Sequence, residues 1–253
     1  MGLQRRLLPV VTITSSTLVV GCSGGSGGSC GSAGSACPPP SVTGPGYYEG
    51  TLTAQSNSQS TPAVAIITET GNGAMSGQNG TYYRFNVGFS GTTVSGTYDG
   101  ISTGAGGTQE TSGSISGQST STSLTGTLMV GSSTVDSFQL TFEAVYKQPS
   151  ALATLMGTWS YTDTANGFSL TVTIASNGTF TGTDSSNCTY SGAFGIINPV
   201  FDAYSETYTR TCNGAALTFT GFATYLPPSG GVGADIKVLA DDNATEFLVA
   251  DLQ

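Results

Sequence analysis

The sequence predicts an all-β protein: two tandem small antiparallel β-barrels of about eight strands each, with β-sandwiches as the alternative, after a flexible N-terminal tether. Three observations predict it. Five Asn-Gly pairs stand at 72-73, 79-80, 166-167, 177-178 and 213-214, and Asn-Gly supplies the positive-φ positions of a tight hairpin turn. Apolar and polar residues alternate with period two in Leu170-Thr171-Val172-Thr173-Ile174, in Phe138-Gln139-Leu140-Thr141-Phe142 and in Ile236-Lys237-Val238, so each strand has one apolar and one wet face. Only 8% of the 253 residues are charged, while 37 are glycine; an ordinary domain carries about 25% charged residues, so Ser, Thr, Asn and Gln must make this surface polar.

The chain begins with an export-signal pattern over residues 1–21. Arg5-Arg6 forms a positive start, Leu7 to Val20 is mainly apolar, and small residues follow. The apolar stretch holds Pro9 and several hydroxyl residues, and it falls short of the roughly 20 residues a membrane-spanning helix needs. Leu18-Val19-Val20-Gly21-Cys22 resembles the bacterial lipobox. The resemblance implies cleavage after Gly21 and acylation of Cys22, palmitate-type chains included, and so a partner in the lipid bilayer. Ser23 in place of Asp after the cysteine implies sorting to the Gram-negative outer membrane, with the periplasmic or cell-surface face left open. A plain secretory signal with an incidental cysteine is the competing reading.

Residues 22–43 are rich in Gly, Ser and Pro, ending in Pro38-Pro39-Pro40; such a tether behaves as a coil with a short stiff segment, reaching roughly 25 Å. Gly21-Cys22-Ser23-Gly24-Gly25 matches a nucleophile-elbow pattern but straddles the cleavage point, where no strand-to-helix turn exists. With Cys22 acylated, four cysteines remain, and of their three pairings Cys188 with Cys212 and Cys30 with Cys37 are expected, the first inside one domain and the second inside the tether.

Residues 44–147 read as the first barrel-like domain, 148–156 as a linker and 157–253 as the second. Gly46-Tyr47-Tyr48 and Gly157-Thr158-Trp159 open the two units in similar style. In the second, strands are expected near 157–163, 168–175, 178–184, 187–193, 203–211, 215–225, 234–240 and 245–252. Short strands joined by tight turns suit an up-and-down barrel, which removes exposed edges. Gly157-Thr158-Trp159 resembles the G-x-W of lipocalins, and with Ser176-Asn177-Gly178-Thr179-Phe180-Thr181-Gly182 and Cys188-Thr189-Tyr190-Ser191-Gly192 the second unit is similar to small lipocalin-like domains of outer-membrane lipoproteins. That likeness implies a Trp closing one barrel end beneath a basic side chain.

On the strand at 203–211, period two places Tyr204, Glu206, Tyr208, Arg210 and Cys212 on one face. Two readings stand open. The face lines a site for a small amphiphile, with Trp159 closing it, or it fills the barrel and sets Arg210 against Trp159 in a cation–π contact.

Chemistry is constrained by inventory. Without histidine there is neither a Ser-His-Asp arrangement nor an imidazole metal site, and no phosphate-binding or dinucleotide fingerprint occurs. Asp241-Asp242-Asn243-Ala244-Thr245-Glu246 is rich in oxygen ligands but lacks EF-hand spacing, so a polar hairpin turn is expected. With 15 acids against 6 bases the formal charge is −9, which argues against nucleic acid as a partner. The sequence thus points to a non-enzymatic lipoprotein without cofactor or metal, structural or protein-interacting at the envelope; the alternative is binding of a small amphiphile.

Overall fold

The structure, a computed structural model, describes residues 43–104 and 107–253. The signal, Gly21, Cys22 and the expected Cys30–Cys37 bridge lie outside the described residues. Among the described residues, sixteen strands form two eight-stranded antiparallel sheets in simple up-and-down order. In the first, β1 (Gly46–Ala54), β2 (Gln59–Ile67), β3 (Asn72–Gly77), β4 (Thr81–Ser90), β5 (Thr93–Gly104), β6 (Gly107–Ser119), β7 (Ser123–Val130) and β8 (Ser133–Phe142) close into a barrel, because β8 pairs back onto β1. In the second, β9 (Gly157–Asp163), β10 (Phe168–Ile174), β11 (Thr179–Asp184), β12 (Thr189–Ile196), β13 (Tyr204–Cys212), β14 (Ala215–Leu226), β15 (Asp235–Asp241) and β16 (Phe247–Leu252) follow the expected spans closely. Here the seam is nearly closed: Ser160 and Gln253 exchange backbone hydrogen bonds at 2.7 and 2.8 Å.

The alternation behaves as expected. In β10, Phe168, Leu170, Val172 and Ile174 are buried while Ser169, Thr171 and Thr173 are exposed. The Asn-Gly pairs divide. Asn213 and Gly214 both hold positive φ, 50° and 82°, giving the two-residue hairpin between β13 and β14. At Asn79-Gly80, Asn166-Gly167 and Asn177-Gly178 only the glycine is left-handed. Asn72-Gly73 is no turn at all; it opens β3 and pairs with β4, so the hairpin expected there is corrected to Thr68–Gly71, where Gly71 takes the positive φ.

Each barrel has its own core. The first gathers Tyr48, Leu52, Ile67, Met75, Phe85, Tyr98, Leu128 and Phe138; the second gathers Leu170, Val172, Phe180, Phe194, Tyr208, Phe219, Val238 and Leu248. A third apolar cluster lies between them. It joins Tyr47, Ile66, Ala74 and Tyr82 of the first barrel, Tyr146 of a 3₁₀ turn at Ala144–Lys147, and Phe201, Ala203, Leu239 and Val249 of the second. Tyr82 stacks on Phe247 at 5.5 Å and Tyr146 on Phe201 at 5.3 Å. These residues interleave with inward-facing neighbours, so β3 and β15 are buried on both faces. The barrels are therefore packed wall to wall rather than strung on a linker.

Candidate functional site

The second barrel's interior carries the residues that the sequence singles out. Running up and down, β9 starts and β13 starts at one end, whereas β13 finishes at the other. Tyr204 and Trp159 therefore stand at the first end and Arg210 and Cys212 at the second. The expected Arg210–Trp159 contact is corrected by this topology: the two side chains occupy opposite mouths. Trp159 instead donates its Nε1 hydrogen to the Leu155 carbonyl at 2.8 Å and meets Tyr225 edge-on at 6.3 Å. Leu155 belongs to the single-turn helix α1 (Leu152–Leu155), so the indole fixes the connector onto the barrel end. Tyr204 helps from the same side, accepting the Ala151 N–H at 3.1 Å and donating to the Ala151 carbonyl at 3.3 Å.

At the other mouth, Arg210 pairs with Glu246 at 2.5 Å and lies 5.2 Å over the Phe219 ring. The cation–π contact exists, but with Phe219, from the neighbouring strand β14 (Arg210↔Leu217). Cys188 and Cys212 are bridged with Cα atoms 4.4 Å apart, one step beyond the Thr189↔Thr211 pair. Asp184 braces this end by accepting the N–H groups of Ser186 and Cys188 and the Tyr190 hydroxyl. It was missed in the sequence, where an Asp at a strand end reads only as turn polarity.

Between the mouths the interior is aromatic. Tyr208 stacks on Phe219 at 4.9 Å with rings nearly parallel, and Phe180 and Tyr190 pack at 6.1 and 5.9 Å. Gly192 faces Tyr208 across the ladder, and a Cβ there would stand 2.4 Å from the Tyr208 Cβ; the missing side chain makes room for the stack. Glu206 lies among these groups, 5% exposed, with Oε2 lacking a hydrogen-bond partner. Burial pushes its carboxyl up to about 8, since an apolar surrounding disfavours the charged form. It is thus neutral at pH 7. The hollow beside it, lined by Leu170, Val172, Phe194, Glu206, Tyr208 and Leu248 among others, measures about 10 Å³, room for about one water molecule.

The larger depression is on the outside. Thr171, Thr173, Thr181, Thr183, Thr189, Ser191, Thr209 and Thr211 line an open dish of about 560 Å³ without a charged group. The register aligns them in two ranks, Thr171–Thr183–Thr189–Thr211 and Thr173–Thr181–Ser191–Thr209, across β10 to β13.

The Asp241–Glu246 segment forms the β15–β16 turn. Asp242 Oδ1 accepts the N–H groups of Ala244, Thr245 and Glu246, and Asn243 takes positive φ. Asp241 looks outward instead, to Arg84 of the first barrel at 2.7 Å. Among the described residues no group of three or more His, Cys, Asp or Glu is placed to hold a metal ion, and no helix is long and apolar enough to cross a membrane. Comparison with protein-family models, curated proteins and solved structures finds no match to this chain.

Proposed function

We propose that this chain is a non-enzymatic lipoprotein, anchored in the outer membrane through acylated Cys22, with a structural or protein-interaction role at the cell envelope. The observation that argues against the small-amphiphile alternative is the filled interior of the second barrel. A small amphiphile needs a cavity of at least about 300 Å³, and the hollow beside Glu206 has about 10 Å³. Except for Glu206, the polar groups singled out there hold the barrel: Tyr204 on the connector, Arg210 on Glu246 and Asp184 beside the disulfide. The anchoring part rests on Leu18-Val19-Val20-Gly21-Cys22, since three acyl chains exceed the two membrane signals that stable attachment requires.

The full chain and its Cys22→Ala variant, expressed in a Gram-negative host, are compared by intact mass and detergent-phase partitioning. A lipoprotein gives a wild type heavier by its acyl groups and confined to the detergent phase, with the variant unacylated. Wild type lacking acyl mass and remaining in the aqueous phase overturns the anchor. Native mass spectrometry of the same protein tests the interior: stoichiometric co-purifying lipid held by the Cys22→Ala variant would overturn the filled barrel in favour of the amphiphile-binding alternative.

A further inference from the structure

The wall between the barrels ends at each side in a cluster of acids around one base. On β15 the residues Asp235, Lys237, Leu239 and Asp241 alternate onto the face turned to the first barrel. Leu239 enters the apolar cluster in the middle of the junction, so the acids flank it. At one edge Lys237 pairs with Asp251 of β16 at 2.6 Å and with Asp235 at 3.4 Å; Glu49 of β1 acts on both Asp235 and Lys237, and the Tyr47 hydroxyl of the same strand donates to Glu49. Two carboxylates thus pair with one ammonium, and the charge of a third, Glu49, acts on it. At the opposite edge Arg84 of β4 pairs with Asp241 at 2.7 Å and Asp99 of β5 at 3.6 Å and donates to Asn243, while Asp242 and the Tyr82 phenol lie close enough to act on or feel the Asp241 charge. One guanidinium faces several acids there too. Both aspartates have one oxygen held by the cation and the other, Oδ1, buried without a partner.

We propose that the junction is a proton-linked clamp, in which the two barrels dock most tightly while Asp235 and Asp241 hold protons and loosen along β2–β3 and β15–β16 as they ionise. The clustering supplies the reason. An ionised carboxylate with a buried, unpartnered oxygen bears a desolvation cost, and at each edge a single cation is shared among neighbouring acids. Separation of the walls gives that oxygen to water. Burial raises both carboxyls to about 6, against the lowering pull of Lys237 on one and Arg84 on the other. Lys237 itself is disfavoured by burial, yet Asp251, Asp235 and Glu49 together leave it above its ordinary value, so the cation persists while the acids titrate. The sign follows: docking strength is constant below about pH 4, declines as pH rises through about 6, and then levels. Asp202, whose N–H reaches the Tyr146 carbonyl across the junction, is also raised by burial to about 6 and adds to the same slope.

Native-state hydrogen exchange on the full chain between about pH 4 and 7, corrected for intrinsic exchange, tests the clamp. The opening constants of β3 and β15 amides are expected to rise by up to about a hundredfold per carboxyl, the equivalent of two pKa units each, and to rise more than those of β6 and β7 on the far wall. In Asp235→Asn/Asp241→Asn the slope is expected to fall by at least half. Flat opening constants in the wild type, a rise shared equally by β6 and β7, or an undiminished slope in the double variant would overturn the proposal. Should the double variant fail to fold, the wild-type series decides alone, because the far wall is its internal reference.

Discussion

In the first barrel β1 and β8 pair over seven residues, from Tyr48↔Phe142 to Ala54↔Asp136, whereas in the second the backbone hydrogen bonds across the seam join Ser160 and Gln253. The second compensates with side chains. It holds the described disulfide, the stacked Tyr208–Phe219 pair and the Arg210–Glu246 bridge at its mouth. The first has no need of a staple, because a continuous ladder already removes its edges. One interior polar pair is closed across it: the Tyr83 hydroxyl donates to the buried Asp136, whose carboxyl is raised by burial despite that hydrogen bond. Two routes to the same architecture are thus joined in one chain, and the second leaves its seam and its buried Glu206 as the weaker points.

The contrast can be tested from its largest element downwards. Replacing Cys188 and Cys212 by serine removes a bridge closing a separation of 24 residues, which loop-closure entropy values at about 3.5 kcal/mol. Chemical denaturation followed by hydrogen exchange should show that loss concentrated in β9–β16; equal loss in β1–β8 would mean that the junction makes both barrels one cooperative unit and would dissolve the contrast.

Glu206 supplies the next effect. Its ordinary value is 4.5 and its folded value about 8, so the unfolded chain ionises first and stability falls as pH rises from about 4.5 to 8. The raised junction acids, with values of about 6, are about three-quarters ionised by pH 6.5. Between about pH 6.5 and 8 the remaining loss, about 2 kcal/mol, therefore belongs mainly to Glu206, and urea midpoints of Glu206→Gln should be nearly flat across that window. A variant that keeps the wild-type slope would place the titrating group elsewhere.

The smallest effect concerns the seam. Deleting Gln253 removes both backbone bonds to Ser160, at a cost of about 1 kcal/mol once water replaces them. Faster exchange confined to β9 and β16 is the expected outcome. Unchanged protection there would mean that the core, not the seam, holds this barrel shut.

Much of the fold is legible in the residues. The β10 alternation and the Asn213-Gly214 turn act locally, through side-chain direction and positive φ, and local rules suffice to read them. The Cys188–Cys212 bridge follows because antiparallel neighbours bring both to one mouth. The site was less legible. Tyr204 to Arg210 share a face as the period requires, yet their partners come from other strands, and pairing Arg210 with Trp159 overlooked that β9 and β13 run in the same direction from the same end. The junction did leave a signal: Val64-Ala65-Ile66-Ile67 and Phe247-Leu248-Val249-Ala250 are continuous apolar runs rather than alternating ones, as strands covered on both faces must be.

By itself the sequence determined the all-β class, an approximate count of strands per unit, and the low-charge, hydroxyl-rich exterior, since these depend on residue type and near-neighbour periodicity. Only the tertiary structure decided which wall of each barrel faces the other, which cation answers which carboxylate, and how little space remains beside Glu206. Those outcomes depend on distances between residues as far apart in the chain as Arg84 and Asp241. No local pattern encodes them, because burial and charge pairing are properties of the packed walls.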